Sequence, residues 1–149
     1  MYKHILVATD GSKLAVKGAR AAVKLAKPLG AKITGVYVAP PFAPPIRNEA
    51  AFRYSGSFSR SRYGKIMKAL AGQALCAVAR AARAEKVPCR TRLLIDPLPW
   101  HGILRAARAG KCDLIAIGSH GRNAFGSLVL GSETNRVLAH SKIPVLVAR

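Results

Sequence analysis

A three-layer α/β fold, with helices on both faces of a five-stranded parallel sheet, is predicted by three features of the sequence. Short apolar runs rich in β-branched residues recur along the chain, as at Ile5–Ala8, Val36–Val38, Leu114–Ile117 and Ile143–Val147, with the length and composition of buried strands. Between them lie stretches of helical length with a small-residue periodicity, and strands that alternate with helices in this way join by right-handed crossovers. Glycine-bearing turns separate the two kinds of segment. At 149 residues the chain reads as one domain over 1–149, of a size that buries about 68–70% of its unfolded surface.

In chain order, residues 3–9 form the first strand, and Asp10-Gly11-Ser12 turn into a helix that Ser12 is suited to cap. This helix runs from Lys13 to Lys27. Ala15, Ala19, Ala22 and Ala26 form a stripe that can lie close to a sheet, Lys13, Lys17, Arg20, Lys24 and Lys27 recur on another face, and Pro28 and Gly30 end the helix. Lys32–Val38 is the second strand. Residues 39–63 hold four prolines by Pro45 and then interleave Arg, Ser and aromatics (Phe52, Arg53, Tyr54, Phe58, Arg60, Arg62), the composition of a mobile loop or insertion and not of a second domain. An alanine-rich helix over Tyr63–Lys86 is stopped by Pro88; Cys89–Ile95 is the third strand and Pro99–Ala109 the third helix. A fourth helix over Ser132–His140 leads to the last strand, Ile143–Val147.

The stretch 113–132 carries the strongest functional signal. It opens as a buried-type strand and breaks into a loop punctuated by Gly118, Gly121, Gly126 and Gly131, with Ser132 opening the following helix. Glycine lets backbone N–H groups approach a ligand closely, and a helix N-terminus offers unpaired donors and a partial positive charge to a phosphate. A β-branched residue at Gly131 is therefore expected to fill the phosphate position and strain the turn. Asp10, at the carboxyl end of a central strand, lies on the edge of a parallel sheet where ligands bind. The spacing Gly118-x2-Gly121-x9-Gly131-Ser132 resembles the nucleotide-binding pattern of the universal stress protein family; it is neither a P-loop nor a dinucleotide fingerprint. The resemblance spans nearly the whole chain, from Ile5–Ser12 to Ile143–Val147.

That resemblance implies an adenine nucleotide alpha hydrolase-like, Rossmann-like sheet of order 3-2-1-4-5, which brings Asp10 and the glycine loop to one cleft. It implies ATP as ligand. Gly118, Gly121, Gly131 and Ser132 would hold phosphates, Asp10 would meet ribose or a magnesium ion, Val38 would contact adenine through its backbone, and Thr9 would line the same edge. Ser119, His120 and Arg122 are loop neighbours able to add donors. Glu133, in the first helical turn, would repel phosphate if it turned inward. Two departures bear on the base side of the pocket: Pro97 stands where the family usually has glycine, and bulky Trp100 follows Pro99.

Composition narrows the alternatives. Three cysteines without Cys-x-x-Cys spacing and four scattered histidines indicate neither a disulfide framework nor a zinc site. The N-terminus has no signal-peptide profile and no apolar run reaches spanning length, so the expected compartment is the reducing cytoplasm, with no membrane role. The 25 Lys and Arg against 6 acids give a formal net charge of +19, which draws polyanions without sequence preference. Three functions compete: an ATP-binding module of the stress-response kind, a polyanion-binding or protein-interaction module with an unused nucleotide pocket, and a weak ATP hydrolase. Hydrolysis needs an oriented water and usually a committed metal site, and Asp10 is nearly all the chain offers. A homodimer through the edge strand 143–147 is the expected assembly.

Overall fold

The computed structural model describes residues 1–43, 59–120 and 130–149. Its elements are β1 (His4–Ala8), α1 (Lys13–Leu29), β2 (Lys32–Ala39), α2 (Arg60–Ala84), β3 (Cys89–Ile95), α3 (Pro99–Ala109), β4 (Leu114–Gly118), α4 (Ser132–His140) and β5 (Val145–Ala148). All pairings are parallel and the strand order is β3-β2-β1-β4-β5. The central strands β1 and β4 are apolar and buried because helices cover both their faces, whereas the edge strand β3 exposes Arg90, Thr91 and Arg92.

Alternation along the strands divides the core. Ile5, Val7, Ile33, Leu114 and Ala116 face α1 and α2, with Ala19, Ala22, Val23, Ala26, Val78 and Ala82 packed against them. Leu6, Ala8, Val36, Ile115 and Ile117 face α3 and α4 and meet Ile103, Ala106, Ala107 and Val137. The alanine stripe on α1 is fully buried, so this helix sits close on the sheet.

Of the boundaries that differ from the sequence reading, three have a clear local cause. Helix α1 continues through Pro28 and stops at Gly30, which adopts φ 61° and donates its N–H to Ala26 and Lys27 carbonyls. Pro28 removes a donor only from the carbonyl of exposed Lys24, which water can satisfy. Helix α2 begins three residues earlier than its apolar periodicity suggests, because Ser59 caps it by accepting from the Arg62 N–H at 3.2 Å. Strand β5 begins at Val145, since Pro144 contributes only a carbonyl, to the Ile115 N–H. Of the loop expected over 39–63, Ala39 ends β2 and Arg60–Tyr63 form the first turn of α2, while 44–58 lie outside the described residues.

Candidate functional site

Chain winding reverses between β1 and β4, and at the carboxyl ends of these strands lies a cavity of about 420 Å³. That is within the range of small-molecule sites. Thr9, Asp10, Val38, Gly118, His120, Gly131, Ser132 and Glu133 line it, together with the apolar Ile103, Ile117 and Pro99. Eight of the eleven residues singled out from the sequence thus share one cleft. Ser119 is buried beside it, and Gly121 and Arg122 lie outside the described residues.

On the β1 side the chain makes a tight turn held by its own side chains. Thr9 Oγ1 accepts from the Gly11 N–H at 3.1 Å and Asp10 Oδ1 from the Ser12 N–H at 2.9 Å. Gly11 takes φ 81°, the left-handed region that favours glycine. Ser12 Oγ then caps α1 by accepting from the Ala15 N–H. Asp10 therefore bonds its own turn and also lines the cavity.

Val38 contributes backbone. In a parallel pair, residues two apart present their N–H and C=O groups to the same neighbour. The Val36 carbonyl accepts from the Thr9 N–H at 3.0 Å, so the groups of Val38 point past the same edge, where the chain after β1 has already turned at Asp10-Gly11. By this alternation the N–H and C=O of Val38, a cavity-lining residue, lie on the β1 side beyond the last paired residue, Val36.

On the β4 side the expected phosphate donors are differently employed. The Gly131 N–H donates to the Ser119 carbonyl at 2.8 Å and the Ser119 N–H to the Ala148 carbonyl at 2.7 Å, so neither amide is available to a ligand. Ser119 Oγ pairs with His120 Nδ1 at 3.1 Å. Gly131 is the N-cap of α4 with φ −60°, a conformation open to any residue, so the strain expected on substituting it is absent and only the steric effect of a Cβ remains. Gly118 has a packing reason to be glycine: an added Cβ would lie 3.1 Å from the Ala15 nitrogen, where α1 crosses the end of β4. What α4 does offer is a first turn without a side-chain cap, whose Ser132 and Glu133 amides, with the Ser132 side chain, border the cavity. Thr134 Oγ1 fixes that turn to the sheet by donating to the Gly118 carbonyl at 2.9 Å.

Glu133 turns its carboxylate toward α3. Oε2 accepts from the Trp100 N–H at 2.9 Å. Pro99 at the first position of α3 has no N–H, so this is the first amide that helix presents, and Glu133 serves as its cap from outside. Asp96, missed in the sequence reading, supports the same helix end: Oδ1 accepts from the Leu98 N–H at 3.1 Å, and Oδ2 meets His101 Nδ1 at 2.9 Å and Arg105 Nη2 at 3.4 Å. The Leu98 amide, aided by His101 and Arg105, holds this carboxyl below the usual range although burial opposes it. The Asp-Pro-x-Pro start was its only sequence trace. Trp100 packs on the α3/α4 core layer and stacks on His140 with ring centroids 4.6 Å apart, its buried Nε1–H without a partner among the described residues. Gly102 was also missed; it lets α3 lie against Val38, whose Cγ1 would be 2.7 Å from an added Cβ.

A doubly wound α/β domain with its cleft at the switch point has the architecture in which ligand sites of open parallel sheets are placed. The universal stress protein family matches residues 1–149, and the chain belongs to that family. A universal stress protein of Thermus aquaticus is 34% identical over the full length of both chains. Among solved structures, the universal stress protein of Archaeoglobus fulgidus in complex with dAMP aligns over 99% of this chain and 98% of its own, with 21% identity and a TM-score of 0.68. A universal stress protein in complex with cAMP aligns over 99% and 97%, with 22% identity and a TM-score of 0.69.

Proposed function

We propose that this chain is an adenine-nucleotide-binding module of the stress-response kind, with ATP as ligand. The observation that carries the reading is the pairing, across one cavity, of the open Val38 backbone edge with the uncapped first turn of α4. An adenine needs a donor and an acceptor side by side, and a phosphate needs unpaired amides at a positive helix end. The dAMP and cAMP complexes of structural relatives support adenine nucleotides as the class. Asp10, which lines the cavity, would meet ribose or a magnesium ion shared with the phosphates; such an ion is held by one or two carboxylates and otherwise by water and phosphate oxygens.

Binding, and not turnover, is the function proposed. Both cavity carboxylates, Asp10 and Glu133, already accept a backbone N–H, and no cluster of three His, Cys, Asp or Glu side chains occurs among the described residues. Slow ATP hydrolysis is the alternative and would show as phosphate release that stops with Asp10→Asn. The working state proposed is a cytoplasmic homodimer. Calorimetric titration tests the site: ATP binds the parent at one site per chain, and Gly131→Val, whose side chain would stand at the mouth of the cavity, binds at least tenfold more weakly. Equal affinity in the two proteins would remove the phosphate subsite from α4.

A further inference from the structure

The charge of the molecule is not consumed inside it. Of the six acids, five lie among the described residues, and each already accepts a hydrogen bond: Asp10, Asp96, Asp113 and Glu133 from backbone amides, Glu85 from Lys27 at 2.6 Å. Lys27 and Arg105 are held in ion pairs, and six acids cannot neutralise 25 Lys and Arg. Most cations are therefore uncompensated, and they are not evenly spread.

Helix α1 shows exposed cations at Lys13, Lys17, Arg20 and Lys24, with steps of four, three and four residues. They form one line about 17 Å long at 1.5 Å per residue. Helix α2 lies beside α1 on the same face of the sheet, its end joined to α1 by the Lys27–Glu85 pair, and adds exposed Lys65, Lys68, Arg80 and Arg83. The only acid in these two helices and their caps is Glu85. The cleft, with Asp10 and Glu133, opens at the carboxyl edge of the sheet and not on this face.

We propose that the outward face of the α1/α2 layer binds the phosphate backbone of double-stranded nucleic acid without reading sequence. A line of cations matches a linear polyanion, and the contact releases counterions in proportion to the phosphates neutralised. The two helices themselves offer no aromatic platform of the kind that holds single strands by base stacking: α1 has no aromatic residue, and in α2 Tyr63 is half-buried and donates to the Pro40 carbonyl. An anionic membrane calls for several apolar anchors beside the charge, whereas α1 exposes no large apolar residue and α2 exposes only Ile66 among the described residues.

Fluorescence anisotropy with a labelled 24-base-pair duplex tests this on the intact chain. Four neutralised phosphates predict a log–log salt slope of about −3.6, equal affinity for unrelated sequences, and weaker binding to a single strand of the same length. Lys17→Glu/Arg20→Glu should weaken binding at least tenfold and make the slope shallower by about 2. Arg90→Glu/Arg108→Glu, with the same charge change on β3 and α3, should weaken it less than threefold in 0.1 M salt, where screening acts over about 10 Å. Circular dichroism checks that each variant is folded; should the reversal unfold the chain, Lys17→Gln/Arg20→Gln must still weaken binding severalfold. The proposal is overturned by absence of duplex binding, by sequence selectivity, by equal losses in the two double variants, or by binding to phosphatidylserine-containing vesicles in place of DNA.

Discussion

Glu133 brings a full negative charge into the cavity next to Ser132, where phosphate is proposed, while its Oε2 accepts from the Trp100 amide. A glutamine keeps an oxygen for that amide and removes the charge. Glu133→Gln should therefore leave the melting temperature nearly unchanged and raise affinity for ATP about fivefold, from roughly 1 kcal/mol of repulsion between unit charges 4 Å apart in solvent-like surroundings. The gain should shrink for AMP and vanish for adenosine. Calorimetry with the three ligands checks the grading, and a uniform gain would point to altered pocket shape instead of charge. At this scale the sequence was only partly informative. Gly118 and Gly131 of the glycine pattern do line the cavity, but Gly118 is glycine for its packing against α1 and not for a ligand. The use of each amide was not legible, since the Gly131 and Ser119 N–H groups are consumed by partners set by the folded chain. Glu133 could be placed in a first turn from its position, but its direction depends on α3, more than twenty residues earlier.

Helix α3 forms one wall of the cleft, whose shape depends on how closely the helix lies on β2. Gly102 permits that approach: an alanine Cβ would be 2.7 and 3.1 Å from the two Val38 methyls and 3.1 Å from Asp96 Cβ. Rotating a β-branched side chain in a strand cannot clear both methyls. Gly102→Ala gains up to about 1 kcal/mol of helix propensity, but overpacking costs about 1–3 kcal/mol, so a net loss near 1 kcal/mol is expected. Thermal unfolding should then begin about 2–4 °C lower, and ATP should bind more weakly because Val38 is displaced. A higher melting temperature would show that α3 has room to move. Elements were the most legible scale, since period and β-branched runs act locally; the order 3-2-1-4-5 came from the family resemblance and stands as inferred. The misplaced ends have local causes too: the Ser59 cap is separated from the apolar stripe it serves, and Pro28 falls in a last turn where its missing donor costs little.

The molecule as a whole leaves β5 at an edge, paired to β4 on one side, with Val145–Ala148 half-buried and apolar. Antiparallel pairing with a second copy across a two-fold axis would satisfy both edges. Light scattering at micromolar concentration in 0.15 M salt should give twice the 15.8 kDa chain mass, screening being about 8 Å there; a mass of one chain would leave the edge without a partner. The composition announced the +19 charge, but only the fold shows that α1 and α2 gather exposed cations on the face away from α3 and α4 while the carboxylates sit at turns and helix ends. Two anion-binding regions are thus proposed on one chain, with nucleotide in the cleft and nucleic acid on the α1/α2 face. Amide chemical-shift mapping during an ATP titration tests the placement of nucleotide most directly. Saturable shifts largest at Thr9–Gly11, Val38 and Gly131–Glu133 are expected; shifts confined to Lys13–Lys24 of α1, or none at all, would rule out nucleotide binding in the cleft.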